Sequence, residues 1–117
     1  MDDVKKEFGL AQARLSELIS EHRRLCETIT RKDHEHRVAL LTLKELSSLP
    51  ETTTVHRTLG KAFVKSEMSH VQDRLKSVGI SAAADKEKLL KRKPQLEESI
   101  EAADAKAKSL YEELQKS

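Results

Sequence analysis

Aromatic residues are nearly absent: the 117 residues include no Trp, one Tyr and two Phe. A sphere-like core offsets the entropy of ordering the chain with bulky apolar side chains, and too few are present for an ordinary globular domain. A single cysteine, Cys26, excludes an intramolecular disulfide and suits a reducing compartment. Only two prolines and three glycines occur, so long stretches carry no helix breaker. No run approaches the roughly 20 apolar residues of a membrane span, and the acidic opening MDDVKKEF predicts no secretory signal. The expected location is the cytoplasm, with no membrane partner. Neither sign of charge dominates, since 22 Lys and Arg mingle with 20 Asp and Glu. That alternation predicts a solvated helix surface and not a nucleic-acid footprint.

What is present is charge, at 36% of residues, threaded by a narrow apolar stripe. Such a composition fits either a disordered segment or a long helical assembly, and periodicity decides between them. Over residues 4–49 one row reads Phe8, Leu15, His22, Ile29, His36 and Leu43. A second reads Val4, Ala11, Leu18, Leu25, Lys32, Ala39 and Leu46. Only His22, His36 and Lys32 break their apolar character. A stripe this narrow and this long is a coiled-coil seam.

Residues 67–115 carry a second seam: Met68, Val71, Leu75, Val78, Ala82, Asp85, Leu89, Lys93, Leu96, Ile100, Ala103, Ala107, Leu110 and Leu114. Positions 85, 89 and 93 step by four twice, a stutter that would locally unwind the supercoil. Pro94 stands beside it, and a mid-helix proline predicts a bend or local break. Laid antiparallel so that paired numbers add to about 118, the seams close layer on layer, from Val4 with Leu114 to Leu46 with Val71. The seam cation Lys32 then falls opposite the seam anion Asp85, which makes them a register pair.

Between the arms, Pro50 follows the last helical leucines. Thr52, Thr53, Thr54 and Val55 are β-branched, Leu59-Gly60 offers a turn, and Ala62, Phe63 and Val64 carry a return strand. A loop would make the same connection, but this β-rich composition exceeds what a loop requires, so a hairpin is predicted over residues 52–65. The predicted fold is therefore mainly α: a two-helix antiparallel coiled coil joined by a central β-hairpin, one domain over residues 1–117. Each arm of about 45 residues would run on the order of 65–70 Å. A lone hairpin is marginal in water and has two open edges. The off-seam residues Leu40, Leu41, Leu49 and Leu59 gather near it, so this end is expected to dock onto other subunits by strand pairing. The assembly residues would be Thr53, Val55, His56, Leu59, Gly60, Phe63 and Val64.

Helix, central hairpin and helix in these proportions resemble the β-type subunits of the prefoldin family. The resemblance rests on Val4-Lys5-Lys6-Glu7-Phe8 near the start and Leu59-Gly60-Lys61-Ala62-Phe63-Val64 at the turn. It continues through Leu89, Leu96-Glu97, Ser99-Ile100 and Ala103. Two positions depart from the family's pattern: His56 stands where an aromatic is common, and Pro94 interrupts a normally regular helix. The resemblance implies a hetero-hexamer with other prefoldin subunits, whose hairpins join in a β-barrel platform. It further implies that the coiled-coil tips hold unfolded clients such as actin and tubulin and pass them to the group II chaperonin without nucleotide hydrolysis.

The candidate client-binding tip comprises Val4, Phe8, Leu10, Leu110, Tyr111 and Leu114. Closing the last seam layers accounts for Val4, Phe8, Leu110 and Leu114, but Leu10 and Tyr111 lie off the seam. Apolar groups on fraying helix ends can adapt to many partners. His34 and His36 are two apart on a helix, a poor chelating pair, and His22 and His36 read as seam residues. No catalytic constellation or phosphate-cradling loop is apparent, and no enzyme, metal or cofactor is expected. The basic run Lys86, Lys88, Lys91, Arg92 and Lys93 lacks interleaved aromatics and reads as a solvated face or a dock for an acidic partner. The alternative function is a coiled-coil tether binding folded partners, and oligomeric state separates the two.

Overall fold

Residues 10–48 contain neither Gly nor Pro and are rich in Leu, Glu, Arg, Lys and Ala, so little competes with helix there. The computed structural model describes residues 2–50, 52–59 and 62–116, and of residues 57–59 and 62–64 the backbone alone. Helix α1 spans Asp2–Ser47 and helix α2 spans Met68–Lys116. Asp2 and Asp3 occupy the first turn of α1, where negative charge complements the helix dipole.

Helix α1 stops at Ser47 because its last carbonyls find other partners. The hydroxyl of Ser47 donates to Lys44 O and that of Ser48 to Glu45 O, both at 2.7 Å. The Leu49 amide closes a tighter turn onto Leu46 O at 3.1 Å. Pro50 follows, and its carbonyl accepts the Thr53 amide at 3.0 Å. Strand pairing therefore begins later than the β-branched run suggests, since Thr52, Thr53 and Thr54 lie outside the strands. Strand β1 is Val55–Leu59 and β2 is Ala62–Ser66, antiparallel, with Val55 opposite Ser66 and Leu59 opposite Ala62. Leu59 is thus the last strand residue and not part of the turn, and Gly60 lies outside the described residues.

By packing, the chain divides into two compact units, Met1–Ile29 with Lys88–Ser117, and Thr30–Glu87. In the first unit, Ala11, Ala107 and Leu110 form a buried cluster to which Val4 and Phe8 add. A second cluster joins Leu18, Leu25 and Leu96, flanked by Ile29, Leu89, Ile100 and Ala103. In the other unit, Ala39, Met68 and Ala82 are buried. Every seam position expected on α1 is buried or half-buried.

On α2 the seam differs from expectation in one stretch. Val78 is 41% exposed, whereas its neighbour Gly79 is buried. A Cβ at Gly79 would meet the Ala39 methyl at 3.5 Å and the His36 ring at 3.9 Å, so the residue is a true seam contact. From there, positions 79, 82, 86, 89, 93, 96, 100, 103, 107, 110 and 114 alternate threes and fours, and all are buried or half-buried. The two steps of four expected at positions 85, 89 and 93 are absent there, and fall instead at Val71, Leu75 and Gly79, all buried or half-buried. Small side chains at Ala39, Gly79 and Ala82 fill the layer that the bulkier Val78 leaves, and Lys86 takes a seam place beside Asp85.

The break expected at Pro94 is absent, for α2 runs through it as continuous helix. The missing N–H and the ring both face the carbonyl of Leu90. Leu90 and Pro94 lie on the exposed side of α2, where water can satisfy the orphan carbonyl.

Candidate functional site

The end of the first unit is built from the start of α1 and the end of α2. Leu110 is buried, while Val4, Phe8 and Leu114 are half-buried, as side chains closing the last layers must be. Leu10 and Tyr111 point elsewhere and are 72% and 50% exposed. The Phe8 and Tyr111 rings tilt by 37° with centroids 5.8 Å apart, within the favourable range for aromatic pairs. The Tyr111 hydroxyl accepts from Gln115 Nε2 at 2.9 Å. Two grooves flank this seam. One, of about 450 Å³, has Phe8, Leu15, Ala107 and Tyr111 as its apolar floor. The other, of about 260 Å³, holds Leu10, Ala11 and Ala103.

At the hairpin, Thr53 and Val55 are half-buried and His56 is exposed, paired with Lys65. Phe63 pairs with Thr58 and Val64 with Arg57 through the backbone, but the side chains of Leu59, Phe63 and Val64 lie outside the described residues. A hollow of about 850 Å³ opens where strands and helices meet, bounded by Leu46, Leu49, Thr53 and Met68 among others. Leu40, Leu41 and Leu49 are exposed in the same unit. The described sheet has two strands, so each strand has one edge unpaired within the chain.

Electrostatics in this unit centre on two adjacent interhelical pairs. Lys32 Nζ lies 3.3 Å from Asp85 Oδ2, and Lys86 Nζ lies 2.7 Å from Asp33 Oδ1. The second pair is closer and escaped the sequence reading, as did the Arg92–Glu21 pair and His22 Nε2 at 3.4 Å from Glu97. The hydrogen bond from Lys86 holds the Asp33 carboxyl below the usual carboxylate range, opposed by partial desolvation and aided by Arg37. Strict three-four spacing carried back from Leu96 through Lys93 and Leu89 would have found Lys86. Two members of the basic run thus have carboxylate partners.

His34 is exposed, while His36 is half-buried against Gly79. No group of three or more His, Cys, Asp or Glu able to hold a metal occurs among the described residues. No described helix is long and apolar enough to cross a membrane.

Among solved structures, the prefoldin beta subunit from Thermococcus strain KS-1 is similar, with a TM-score of 0.70 at 19% sequence identity. The match covers 88% of this chain and 90% of that one. At that identity the likeness establishes the fold, two long helices and a small antiparallel hairpin. No curated protein sequence matches the chain. The family model for the prefoldin subunit matches residues 11–117, leaving Val4, Phe8 and Leu10 before the matched range. A match through both helices and the hairpin is membership: the chain belongs to the prefoldin subunit family, as a chaperone-type subunit of β-type architecture that assembles with other prefoldin subunits.

Proposed function

We propose that this chain, most like prefoldin subunit 1 within its family, is a non-catalytic cytoplasmic subunit of a hetero-hexameric holdase. Its hairpin joins those of other subunits in a β-barrel platform. The paired helix ends capture unfolded polypeptides, actin and tubulin among them, for delivery to the group II chaperonin without ATP. On this reading residues 1–117 act as a single domain. The observation that carries the proposal is the exposure of Leu10 and Tyr111 over a closed layer of Ala11, Ala107 and Leu110. Exposed apolar side chains at frayable helix ends can engage many sequences, each worth about 1.5–3 kcal/mol on full burial before ordering costs. Single tips would bind weakly, and several tips on one client multiply the effect through effective concentration.

The test removes residues 1–10 and 109–117 from the subunit and rebuilds the complex. Assembly should persist, because the hairpin is untouched, while suppression of aggregation of an unfolded client falls in part, since other subunits keep their tips. Unchanged holdase activity would refute capture at these ends, and a stable homodimer in place of a hexamer would favour a tether.

A further inference from the structure

The two grooves beside the tip seam differ in charge as well as shape. The groove floored by Phe8 and Tyr111 is edged by Asp104, Lys108 and Glu112. Lys108 Nζ is committed to Asp104 at 3.0 Å, which leaves Glu112 without an ion pair among the described residues. The Leu10 groove is edged instead by Glu7, Arg14 and Lys106, one acid against two bases. Lys5 is exposed one turn before Phe8 but does not line the aromatic groove. An aromatic floor and a rim carboxylate without an ion pair among the described residues together favour an apolar side chain with a cation beside it.

We propose that the Phe8–Tyr111 groove selects extended client segments in which a large apolar residue is flanked by Lys or Arg. The proposal rests on the client-capture reading and adds selectivity to it. The apolar residue would cover the aromatic floor while the neighbouring cation approaches Glu112. Exposed charge pairs at contact distance contribute about threefold each, and replacing attraction by repulsion widens the gap to roughly tenfold.

The experiment uses the full chain and three fluorescein-labelled peptides, each with a central Phe-Leu pair flanked by Lys, Ser or Glu. Fluorescence anisotropy at low salt should rank them Lys over Ser over Glu, spanning roughly tenfold. Glu112→Lys should erase or invert that ranking, Tyr111→Ala should weaken all three peptides, and high salt should compress the differences while binding persists. Equal affinities, with Tyr111→Ala still weakening every peptide, would overturn the charge selectivity and leave capture at the tip standing. Absence of binding by all three would overturn capture as well. Loss of peptide binding as protein concentration rises, with self-association in sedimentation, would place a second copy in the groove and also overturn the proposal.

Discussion

Lys86 donates to Asp33 across the two helices at 2.7 Å, one position along each helix from the Lys32–Asp85 pair at 3.3 Å. Helix α1 presents Lys then Asp, and α2 presents Asp then Lys, so both bridges form in one alignment. A heptad slip of α2 in one direction would set Lys32 against Arg92 and keep only an Asp33–Lys93 pair, and in the other would set Lys32 and Asp33 against Val78 and Gly79, so neither keeps both bridges. The side chains of Asp33 and Lys86 are 24% and 32% exposed, so these bridges act more through register than through net stability.

Asp33 should make stability depend on acid. A carboxyl whose folded pKa is depressed adds stability above its unfolded pKa, and that stability is lost as pH falls through the folded value. Melting temperature, followed by circular dichroism, should therefore drop below about pH 4. In Asp33→Asn the drop should be shallower, with a lower melting temperature near neutrality. Identical acid profiles would remove Asp33 from the account.

Replacing both Lys32 and Asp85 by Leu should raise the melting temperature, because two solvated charges become apolar seam contacts. The same variant should tolerate slipped alignments. Cysteine pairs placed to cross-link native and heptad-shifted registers, read by gel mobility, should show shifted products only in the double variant.

Gly79→Ala should stabilise the protein by about 0.5–1 kcal/mol, since alanine restricts the unfolded chain and favours helix. The added methyl would meet Ala39 at an ordinary 3.5 Å. Gly79→Leu should destabilise by about 1–3 kcal/mol, because that layer has no room for a branched chain. Val78→Ala, at an exposed position, should change melting little. Equal effects at positions 78 and 79 would contradict the seam described here.

Exchanging residues 55–66 for a Gly-Ser linker of equal length should abolish hetero-assembly while most helical circular dichroism remains. The two-strand sheet supplies the unpaired edges proposed for subunit pairing. Native mass spectrometry with the other subunits present gives the readout, and intact hexamers from the exchanged chain would remove the platform reading.

The sequence alone settled what periodicity and end signals can carry. Forty residues free of Gly and Pro, with apolar side chains every three or four, admit little besides a long helix seeking a partner stripe. Pro50 and the β-branched residues after it announced a break and strands. Leu10 and Tyr111 were legible as off-seam because a fixed helical period assigns each residue a face. Tertiary packing decided the rest. Hydrophobicity favoured Val78 over Gly79, but the close approach at Ala39 and Ala82 put the residue without a side chain inside. Continuing that phase brought Lys86 to Asp33, a contact between residues remote in sequence that no local pattern specifies. Likewise Thr52 to Thr54 have strand propensity, yet the Thr53 amide goes to Pro50, because propensity is a weak term where a turn must close. Pro94 was tolerated for the same kind of reason, its orphaned carbonyl partner lying on the exposed side of α2, and exposure is a property of the packed pair rather than of either helix alone.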